Sequence, residues 1–248
     1  MFSKRELSRY ERQIMLPEWG RVGQAKLKKA KVVVVGAGGL GSAVLTQLAV
    51  VGVGSIRVID RDEVELSNLN RQTLHSDRDL GKRKAVSARE RLESLNPDIR
   101  VEAIDENIVD GNVLELIGDY LIVDALDNLA TRHLLNRAAL ERDLPLFHGA
   151  VYGLEGRATT IIPGRTACLK CLYRGVVPGR PPVVGVAPAV IGCVQATEVI
   201  KYILGIGELL TNRLLVYDGL RLRFSELTLK PDPNCEDCKS KYRPGPGG

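Results

Sequence analysis

The chain has 248 residues, of which 44% are hydrophobic and 26% are charged, and its formal net charge is +5 at pH 7. These values are ordinary for a globular protein, and no apolar run approaches the roughly 20 residues that a membrane span requires. With 3 Phe and 1 Trp, the chain has few side chains for a nucleic-acid platform built on base stacking, so we expect no stable nucleic-acid binding. The charged N-terminus does not match a secretory signal, which predicts a cytoplasmic protein.

The first predicted element is a helix over residues 3–13, opened by a capping box between Ser3 and Glu6. Four consecutive valines at 32–35 then predict a buried parallel strand, and clustered glycines behind them predict a tight turn into a helix over 42–51. We expect the N-terminus of that helix to point its free N–H groups and partial positive charge at a phosphate. The glycines that would shape the turn or admit the phosphate are Gly36, Gly38, Gly39 and Gly41.

A second strand at 55–59 ends in Asp60, where an acidic side chain can hold the hydroxyls of a ribose. Strand, turn, helix and acid together predict a nucleotide-binding βαβ unit. The glycines alone are equally typical of NAD or FAD, so an NAD-dependent oxidoreductase is the rival interpretation from another enzyme class. The following segment, 62–80, keeps neither the period of a strand nor that of a helix, and a loop of this length predicts a functional segment.

Strands alternate with helices to about residue 148, which predicts an α/β, doubly wound, Rossmann-like sheet. Ligands bind such sheets beyond the carboxyl ends of the strands, and the turn at 124–127 follows another predicted strand there. Alternating residues at 213–217 and 220–227 predict a C-terminal antiparallel extension. We interpret 1–248 as one domain, whose nucleotide-binding part covers about 28–150, whose part with the paired cysteines and the crossover covers about 151–240, and whose flexible tail covers 241–248.

The charged residues beyond the ribose site favour a triphosphate over a dinucleotide. Arg71 and Lys84 are cations, and Asp127 is a carboxylate on the opposite side of the crevice. Two cations can balance a departing pyrophosphate while a carboxylate holds magnesium. This combination predicts that ATP is split between its α and β phosphates, with an acyl group as the nucleophile.

Four of the five cysteines form two C-x-x-C pairs, which in a reducing compartment favour a structural zinc site over disulfides. A pair of redox motifs is the alternative. The fifth, Cys193, lies in an apolar helical stretch, which predicts a buried structural thiol. The predicted zinc ligands are Cys168, Cys171, Cys235 and Cys238.

Several motifs occur in a fixed order along the chain. They are Arg12-Gln13, the glycine turn 36–41, Asp60, Ser67-Asn68-Leu69-Asn70-Arg71-Gln72, Gly81-x-x-Lys84, Asp124-x-x-Asp127-Asn128, the two C-x-x-C pairs and the segment 192–198. In this set the chain resembles the ThiF/MoeB/HesA family, prokaryotic relatives of ubiquitin-activating enzymes, over essentially residues 3–240.

The resemblance implies ATP- and Mg²⁺-dependent adenylation of the C-terminal Gly-Gly carboxylate of a small β-grasp sulfur-carrier protein, for molybdopterin or thiamine synthesis or tRNA thiolation. By position, Asp60 would bind the ribose, Arg71 and Lys84 the phosphates, and Asp127 the magnesium ion. Arg12 would enter the site of a neighbouring subunit, which implies a homodimer. The residues that would complete the nucleotide's surroundings are Ser67, Asn68, Gln72 and Asn128. Ser67 and Asn68 could instead be ordinary caps, and Lys84 could form a surface salt bridge.

The chain departs from several relatives of that family in its sulfur chemistry. They carry a cysteine in the crossover segment, whereas no cysteine lies between Cys171 and Cys193 here. This predicts adenylation without an enzyme–carrier thioester, and a separate protein as sulfur donor. A small molecule or a tRNA-bound carboxylate is the alternative substrate, and a non-catalytic nucleotide sensor is a further alternative. Gly247-Gly248 resembles the end of a carrier, but beside two prolines it predicts a flexible terminus rather than a self-adenylated tail.

Overall fold

The computed structural model describes residues 2–175, 179 and 182–241. The predictions for Gly247-Gly248, and part of those for the crossover segment, fall outside these residues. The strands are β1 (Lys31–Val35), β2 (Ser55–Ile59), β3 (Arg100–Ile104), β4 (Leu121–Asp124), β5 (Leu146–Tyr152), β6 (Glu155–Ile161), β7 (Arg213–Asp218) and β8 (Arg223–Thr228). The helices are α1 (Lys4–Arg9), α2 (Glu11–Ile14), α3 (Gly20–Lys29), α4 (Gly39–Val51), α5 (Lys84–Leu95), α6 (Val113–Ile117), α7 (Leu129–Arg142), α8 (Leu169–Leu172) and α9 (Val186–Leu204).

All eight strands form one sheet in the order β3-β2-β1-β4-β5-β6-β7-β8. β1 pairs in parallel with β2 and with β4, so that Val35 lies opposite both Ile59 and Asp124. β2 and β3 lie on one side of β1, and β4 and β5 lie on its other side. The boundary between β1 and β4 is therefore the topological switch point where such sheets bind ligands. From β5 to β8 the pairing is antiparallel. The predicted doubly wound sheet and its antiparallel extension are therefore both confirmed.

Two apolar clusters cover the two faces of the sheet. One contains the buried sides of α4, α5 and α9, and the other those of α6, α7 and α8. α4 and α9 pack closely because Gly192 has no side chain: a Cβ there would lie 2.7 Å from the carbonyl oxygen of Leu40. By length and composition α9 could cross a membrane, but 44% of that stretch is buried inside the fold, as in the core helix of a globular protein.

The N-terminal helices dock against the far end of α4. Tyr10 is buried, and its hydroxyl accepts a hydrogen bond from Asn96 Nδ2 at 2.9 Å. Gln24 Oε1 accepts from Gln13 Nε2 at 2.5 Å, and Gln24 Nε2 donates to the carbonyl oxygen of Val51 at 3.0 Å. The predicted Ser3–Glu6 capping box is present, but the predicted single helix is divided at Tyr10 into α1 and α2.

Candidate active site

The glycine turn between β1 and α4 is shaped by packing at two of its four glycines. Gly36 has a φ of +101°, and a Cβ there would lie 2.6 Å from the carbonyl oxygen of Ala125. At Gly41 a Cβ would lie 2.0 Å from the carbonyl oxygen of Gly36. At Gly39 the nearest atoms would belong to Pro188 at 3.1 Å, whereas Gly38 would meet only Gln72 Nε2 at 3.6 Å. The space over Gly38 is therefore open to a ligand.

The half-buried side chain of Asp60 and the buried side chain of His75 fix this turn from either side. Asp60 Oδ2 accepts a hydrogen bond from the backbone N–H of Ala37 at 2.7 Å, and Oδ1 accepts from that of Asp62 at 2.9 Å. Burial raises the pKa of Asp60, opposed by these two hydrogen bonds and by Lys84. His75 Nε2 lies 3.0 Å from the carbonyl oxygen of Ala37 and must carry the proton, because that oxygen can only accept. Each Asp60 oxygen still has a lone pair free for a ligand hydroxyl.

The two predicted phosphate-binding cations belong to the segment that follows β2: Arg71 lies within the loop, and Lys84 is the first residue of α5. Lys84 is only 6% exposed, and its ammonium lies 3.1 Å from Asp62 Oδ2. The salt bridge considered for Lys84 is therefore present, but its ammonium is buried and does not lie on the surface. Arg71 is half-buried and donates from Nη1 to the carbonyl oxygen of Ser67 at 2.9 Å. A Cβ on Gly185, just before α9, would lie 3.2 Å from Arg71 Cα. The start of α9 therefore packs against this loop.

The neighbouring polar residues have local partners, with one exception. Asn68 Oδ1 accepts from the backbone N–H of Glu65 at 3.2 Å, which is the capping contact considered for it, whereas Ser67 Oγ donates to the Glu65 carboxylate at 3.2 Å and caps no helix. Gln72 is 5% exposed, and its Oε1 has no hydrogen-bond partner among the described residues. A buried amide oxygen without a partner beside the open turn is a group that a bound ligand or water could satisfy.

The turn between β4 and α7 presents two acids in different environments. Asp124 is fully buried; burial opposes its ionisation, but Arg132 and a hydrogen bond with His148 hold its pKa below the usual range. Asp127 is exposed and has no hydrogen bond or ion pair within the described part of the chain. Asn128 caps α7, where its side chain accepts from the N–H of Thr131 at 2.9 Å. Of these acids, only Asp127 has a carboxylate free for a hydrated cation such as Mg²⁺.

Arg12 is not part of this crevice within one chain. It lies on α2, exposed, and it forms no hydrogen bond or ion pair with any of the described residues. Gln13, the next residue, is hydrogen-bonded to Gln24 and to the carbonyl oxygen of Val51. The backbone that carries Arg12 is thus anchored while its guanidinium remains available.

The two C-x-x-C pairs come together in space. The Sγ atoms of Cys168 and Cys171 are 3.9 Å apart, those of Cys168 and Cys235 are 3.7 Å apart, and those of Cys171 and Cys238 are 3.6 Å apart. All four Sγ atoms lie within 4.8 Å of one another. A tetrahedron with Zn–S bonds of about 2.3 Å has edges of about 3.8 Å, so this cluster fits zinc.

The prediction for the fifth cysteine was wrong. Cys193 is exposed, not buried, because it lies on the outer side of α9 in a groove of about 800 Å³ between that helix and β7–β8. Partial burial raises the pKa of its thiol, so the thiol is protonated at neutral pH. Neither the C-x-x-C cluster nor the glycine turn includes it.

Four residues near the site were not identified from the sequence: His75 at the glycine turn, and Arg132, Asn136 and Tyr173 between the turn at 124–128 and the cysteines. Arg132 and Tyr173 form a polar network with His148, whereas Asn136 accepts a hydrogen bond from the backbone N–H of Leu169. Arg132 and Asn136 are four residues apart on one helix, a spacing that indicates a shared face. No sequence spacing indicates what that face contacts.

Comparisons with known proteins agree on one family. Residues 10–237 match the ThiF family. The SAMP-activating enzyme E1 of Haloferax volcanii is 44% identical over 241 residues, covering 94% of this chain and 89% of that protein. The sulfur carrier protein adenylyltransferase of Thermus thermophilus is 44% identical over 250 residues, covering 96% of this chain and 92% of that protein.

Solved structures share the fold over nearly the whole chain. E. coli MccB with MccA-N7isoASN matches with a TM-score of 0.84 at 26% identity, covering 96% of this chain and 75% of that one. E. coli MccB with AMPCPP and MccA also matches with a TM-score of 0.84 at 26% identity, covering 94% and 74%. From the ordered motifs, the sheet topology and these matches, we conclude that the chain belongs to the ThiF family.

Proposed function

We propose that this protein is an adenylyltransferase that activates the C-terminal Gly-Gly carboxylate of a small β-grasp sulfur-carrier protein with ATP, releasing pyrophosphate. The names of its relatives, which include a SAMP-activating enzyme and a sulfur carrier protein adenylyltransferase, support this substrate class. One observation carries the proposal: an open glycine turn, the buried ammonium of Lys84 and the unpaired carboxylate of Asp127 follow the carboxyl ends of adjacent strands of one sheet.

In the proposed reaction, an oxygen of the carrier carboxylate attacks the α-phosphorus of ATP. The bond from that phosphorus to the oxygen bridging to the β-phosphate breaks, and pyrophosphate leaves with the electron pair. Asp60 holds the ribose, and the N–H groups at Gly38 and Gly39 hold phosphate oxygens at the start of α4. Arg71 and Lys84 balance the charge that develops on the leaving pyrophosphate.

A magnesium ion would be held by Asp127 together with phosphate oxygens of the nucleotide, and it would neutralise charge on those oxygens. Magnesium usually binds one or two carboxylates plus substrate phosphates and water, which fits a single exposed carboxylate. We assign Ser67, Asn68, Gln72 and Asn128 to the shell around the nucleotide. Gln72 is the strongest of these assignments, because its buried Oε1 lacks a partner among the described residues.

We further infer that the protein acts as a homodimer in which Arg12 enters the partner's site. Support comes from exposed apolar side chains close to Arg12 in the sequence. Met15 is 68% exposed, Leu16 is 50% exposed and Val22 is 73% exposed, although a monomer gains little from presenting them to water. The fixed position of Gln13 beside Arg12 supports the same assignment.

The remaining assignments follow from this function. We propose that the four-cysteine cluster holds structural zinc, that residues 1–248 act as one adenylation domain, and that the protein works in the cytoplasm. We also propose that a separate protein supplies sulfur to the acyl-adenylate. The protonated, exposed thiol of Cys193, which lines the groove beside β7 and β8, supports this last point.

Pyrophosphate release from Mg-ATP, measured with and without candidate carriers, tests the proposal. We expect release only with a β-grasp carrier that ends in Gly-Gly, and a gain of one adenylyl group in that carrier's intact mass. The matched control is the same carrier without its last two residues. Binding of NAD in preference to Mg-ATP would contradict the proposal, and so would release that is independent of every Gly-Gly carrier.

The Asp127→Asn variant tests the assigned magnesium site. Loss of the only charged ligand from the protein should slow carrier-dependent pyrophosphate release by about 100-fold, the order seen when one group that stabilises transition-state charge is removed. Asp110→Asn is the matched control, because Asp110 is equally exposed but pairs with Arg137 on the surface. Equal rates for Asp127→Asn and Asp110→Asn would contradict the assignment.

A further inference from the structure

A chain of polar contacts runs between the cysteine cluster and the turn that carries Asp127, in two parts that are joined through α7 and through the backbone hydrogen bond from the Tyr173 N–H to the Leu169 carbonyl oxygen at 2.9 Å. Its first part is Asn136 on α7, which is fully buried. Asn136 Oδ1 accepts from the backbone N–H of Leu169, the residue after Cys168, at 2.8 Å. Its Nδ2 donates to the carboxylate of Asp237, between the other two cysteines, at 2.8 Å. One side chain therefore holds both C-x-x-C segments against α7.

Arg132, one turn earlier on α7, contacts the other end of the network. Its Nη2 donates to the carbonyl oxygen of Leu126 at 2.5 Å, and Leu126 is the residue immediately before Asp127. The same nitrogen donates to the carbonyl oxygen of Gly149 at 2.9 Å, and Nη1 donates to the Tyr173 hydroxyl at 3.2 Å. Arg132 thus joins the backbone beside Asp127 to the residue that directly follows α8.

The protons in this network can be assigned from its contacts. His148 Nδ1 lies 2.6 Å from Asp124 Oδ2, and His148 Nε2 lies 2.8 Å from the Tyr173 hydroxyl. An ionised Asp124 can only accept, so His148 donates to it from Nδ1. Burial lowers the pKa of His148 and keeps the ring neutral, so Nε2 accepts the Tyr173 proton. The Tyr173 oxygen then accepts from Arg132. The donors therefore run in one direction, from Arg132 through Tyr173 and His148 to Asp124.

These contacts fix the turn at 124–128 from its buried side, while the carboxylate of Asp127 has no hydrogen bond or ion pair among the described residues. We propose that Tyr173 and Arg132 are positioning residues for Asp127. They hold this turn against the segment that carries the metal-binding cysteines, so that the ordering of that segment sets the affinity of the Asp127 site for a divalent cation bound to ATP. This inference rests on the proposed function, in which Asp127 holds the cation.

The Tyr173→Phe variant tests the inference with Mn²⁺ as the probe cation. It removes one hydroxyl and leaves the ring, so the fold should persist. We expect the affinity for Mn-ATP to fall about fivefold, the lower range of couplings between linked sites, while the affinity for ATP in EDTA stays within about twofold. Tyr202→Phe is the matched control, because Tyr202 makes no hydrogen bond within the described residues. Equal losses with and without Mn²⁺ would indicate a general structural role and overturn the proposal.

The same titrations in the Asp127→Asn background separate this inference from the proposed function. We expect Asp127→Asn to remove the gain in affinity that Mn²⁺ gives, and Tyr173→Phe to cause no further loss there. If Asp127→Asn leaves that gain intact, the proposed cation site fails together with this inference. If Asp127→Asn removes the gain but Tyr173→Phe leaves it unchanged, only the inference is overturned.

The connection to the cysteine segment has its own test in Asn136→Ala. We expect faster zinc release to a chromophoric chelator, and a loss of Mn-ATP affinity of about the size found for Tyr173→Phe. Faster zinc release with unchanged Mn-ATP affinity would overturn the connection. Arg132→Lys provides a second variant should Asn136→Ala not fold: it keeps the charge, loses the forked contacts, and should weaken Mn-ATP selectively.

Discussion

Replacing Gly38 by alanine separates the part of the glycine turn that the fold requires from the part that the nucleotide requires. Gly38 has φ of −80° and ψ of −147°, so alanine does not have to enter the left-handed region. The added Cβ would find Gln72 Nε2 at 3.6 Å, an ordinary van der Waals distance. The methyl group would instead occupy the open space in which we place a phosphate.

The expected magnitudes follow from these contacts. As the N-cap of α4, alanine is less favourable than glycine, and we expect the free energy of unfolding to fall by about 0.5–1 kcal/mol. Loss of one charge-assisted hydrogen bond from a backbone N–H to phosphate costs about 1.5–3 kcal/mol, which corresponds to a rise of about 10- to 100-fold in the Kd for Mg-ATP. The variant should therefore be folded and unable to hold the nucleotide well.

Urea denaturation without nucleotide and calorimetric titration with Mg-ATP measure the two quantities. Gly111→Ala is the neutral control, because a Cβ there meets nothing within 4 Å and Gly111 lies outside the crevice. Gly41→Ala is the opposite control: its Cβ would lie 2.0 Å from a carbonyl oxygen, and overpacking should cost about 3 kcal/mol in unfolding free energy. A Kd for Gly38→Ala within about twofold of the wild type would refute the placement of the phosphate.

Two further predictions concern the subunit contact and pH. Inactive Arg12→Ala and Asp127→Asn proteins, mixed equally and allowed to exchange subunits, should regain about a quarter of wild-type pyrophosphate release. Half of the dimers are then mixed, and each mixed dimer has one complete site of its two. No recovery after exchange would contradict the contribution of Arg12 across the interface. Burial lowers the pKa of His75 below its ordinary value of 6.5, so the unfolded chain binds a proton that the folded chain does not. Stability should therefore fall as pH drops below about 6.5, and His75 should contribute a slope of up to about 1.4 kcal/mol per pH unit. Denaturation of His75→Gln at several pH values should give a shallower fall, and an unchanged slope would contradict the assignment.

Local sequence signals predicted the elements whose structure depends on near neighbours. The four valines, the glycine turn and Asp60 are close in sequence, and their geometry follows from the turn itself. α4 nevertheless begins at Gly39 rather than at residue 42. Gly39 and Gly41 are poor helix formers by propensity, but a Cβ at Gly41 would lie 2.0 Å from the carbonyl oxygen of Gly36, which excludes a side chain there, and a Cβ at Gly39 would contact Pro188 tightly at 3.1 Å.

Contacts between distant segments explain what the sequence could not predict. α9 is apolar on nearly all sides, so its period did not indicate that Cys193 lies on the exposed side. His75 and Tyr173 belong to no motif, and their contacts join segments more than ten residues apart. Asn128 was assigned to the nucleotide by its motif, whereas the only hydrogen bond of its side chain among the described residues caps α7.

The cysteine cluster has a further consequence for the stability of the chain. Residues 172–234 separate Cys171 from Cys235, and a metal bound to both would close that stretch into a loop. A crosslink around a loop of this length removes about 4 kcal/mol of conformational entropy from the unfolded chain. The loop contains α9 and β7, whose buried residues belong to the core on one face of the sheet, and the exposed strand β8. Removal of the metal by a chelator should therefore lower the midpoint temperature of global unfolding. The metal restricts the unfolded chain, and it also orders the two short cysteine segments in the folded one.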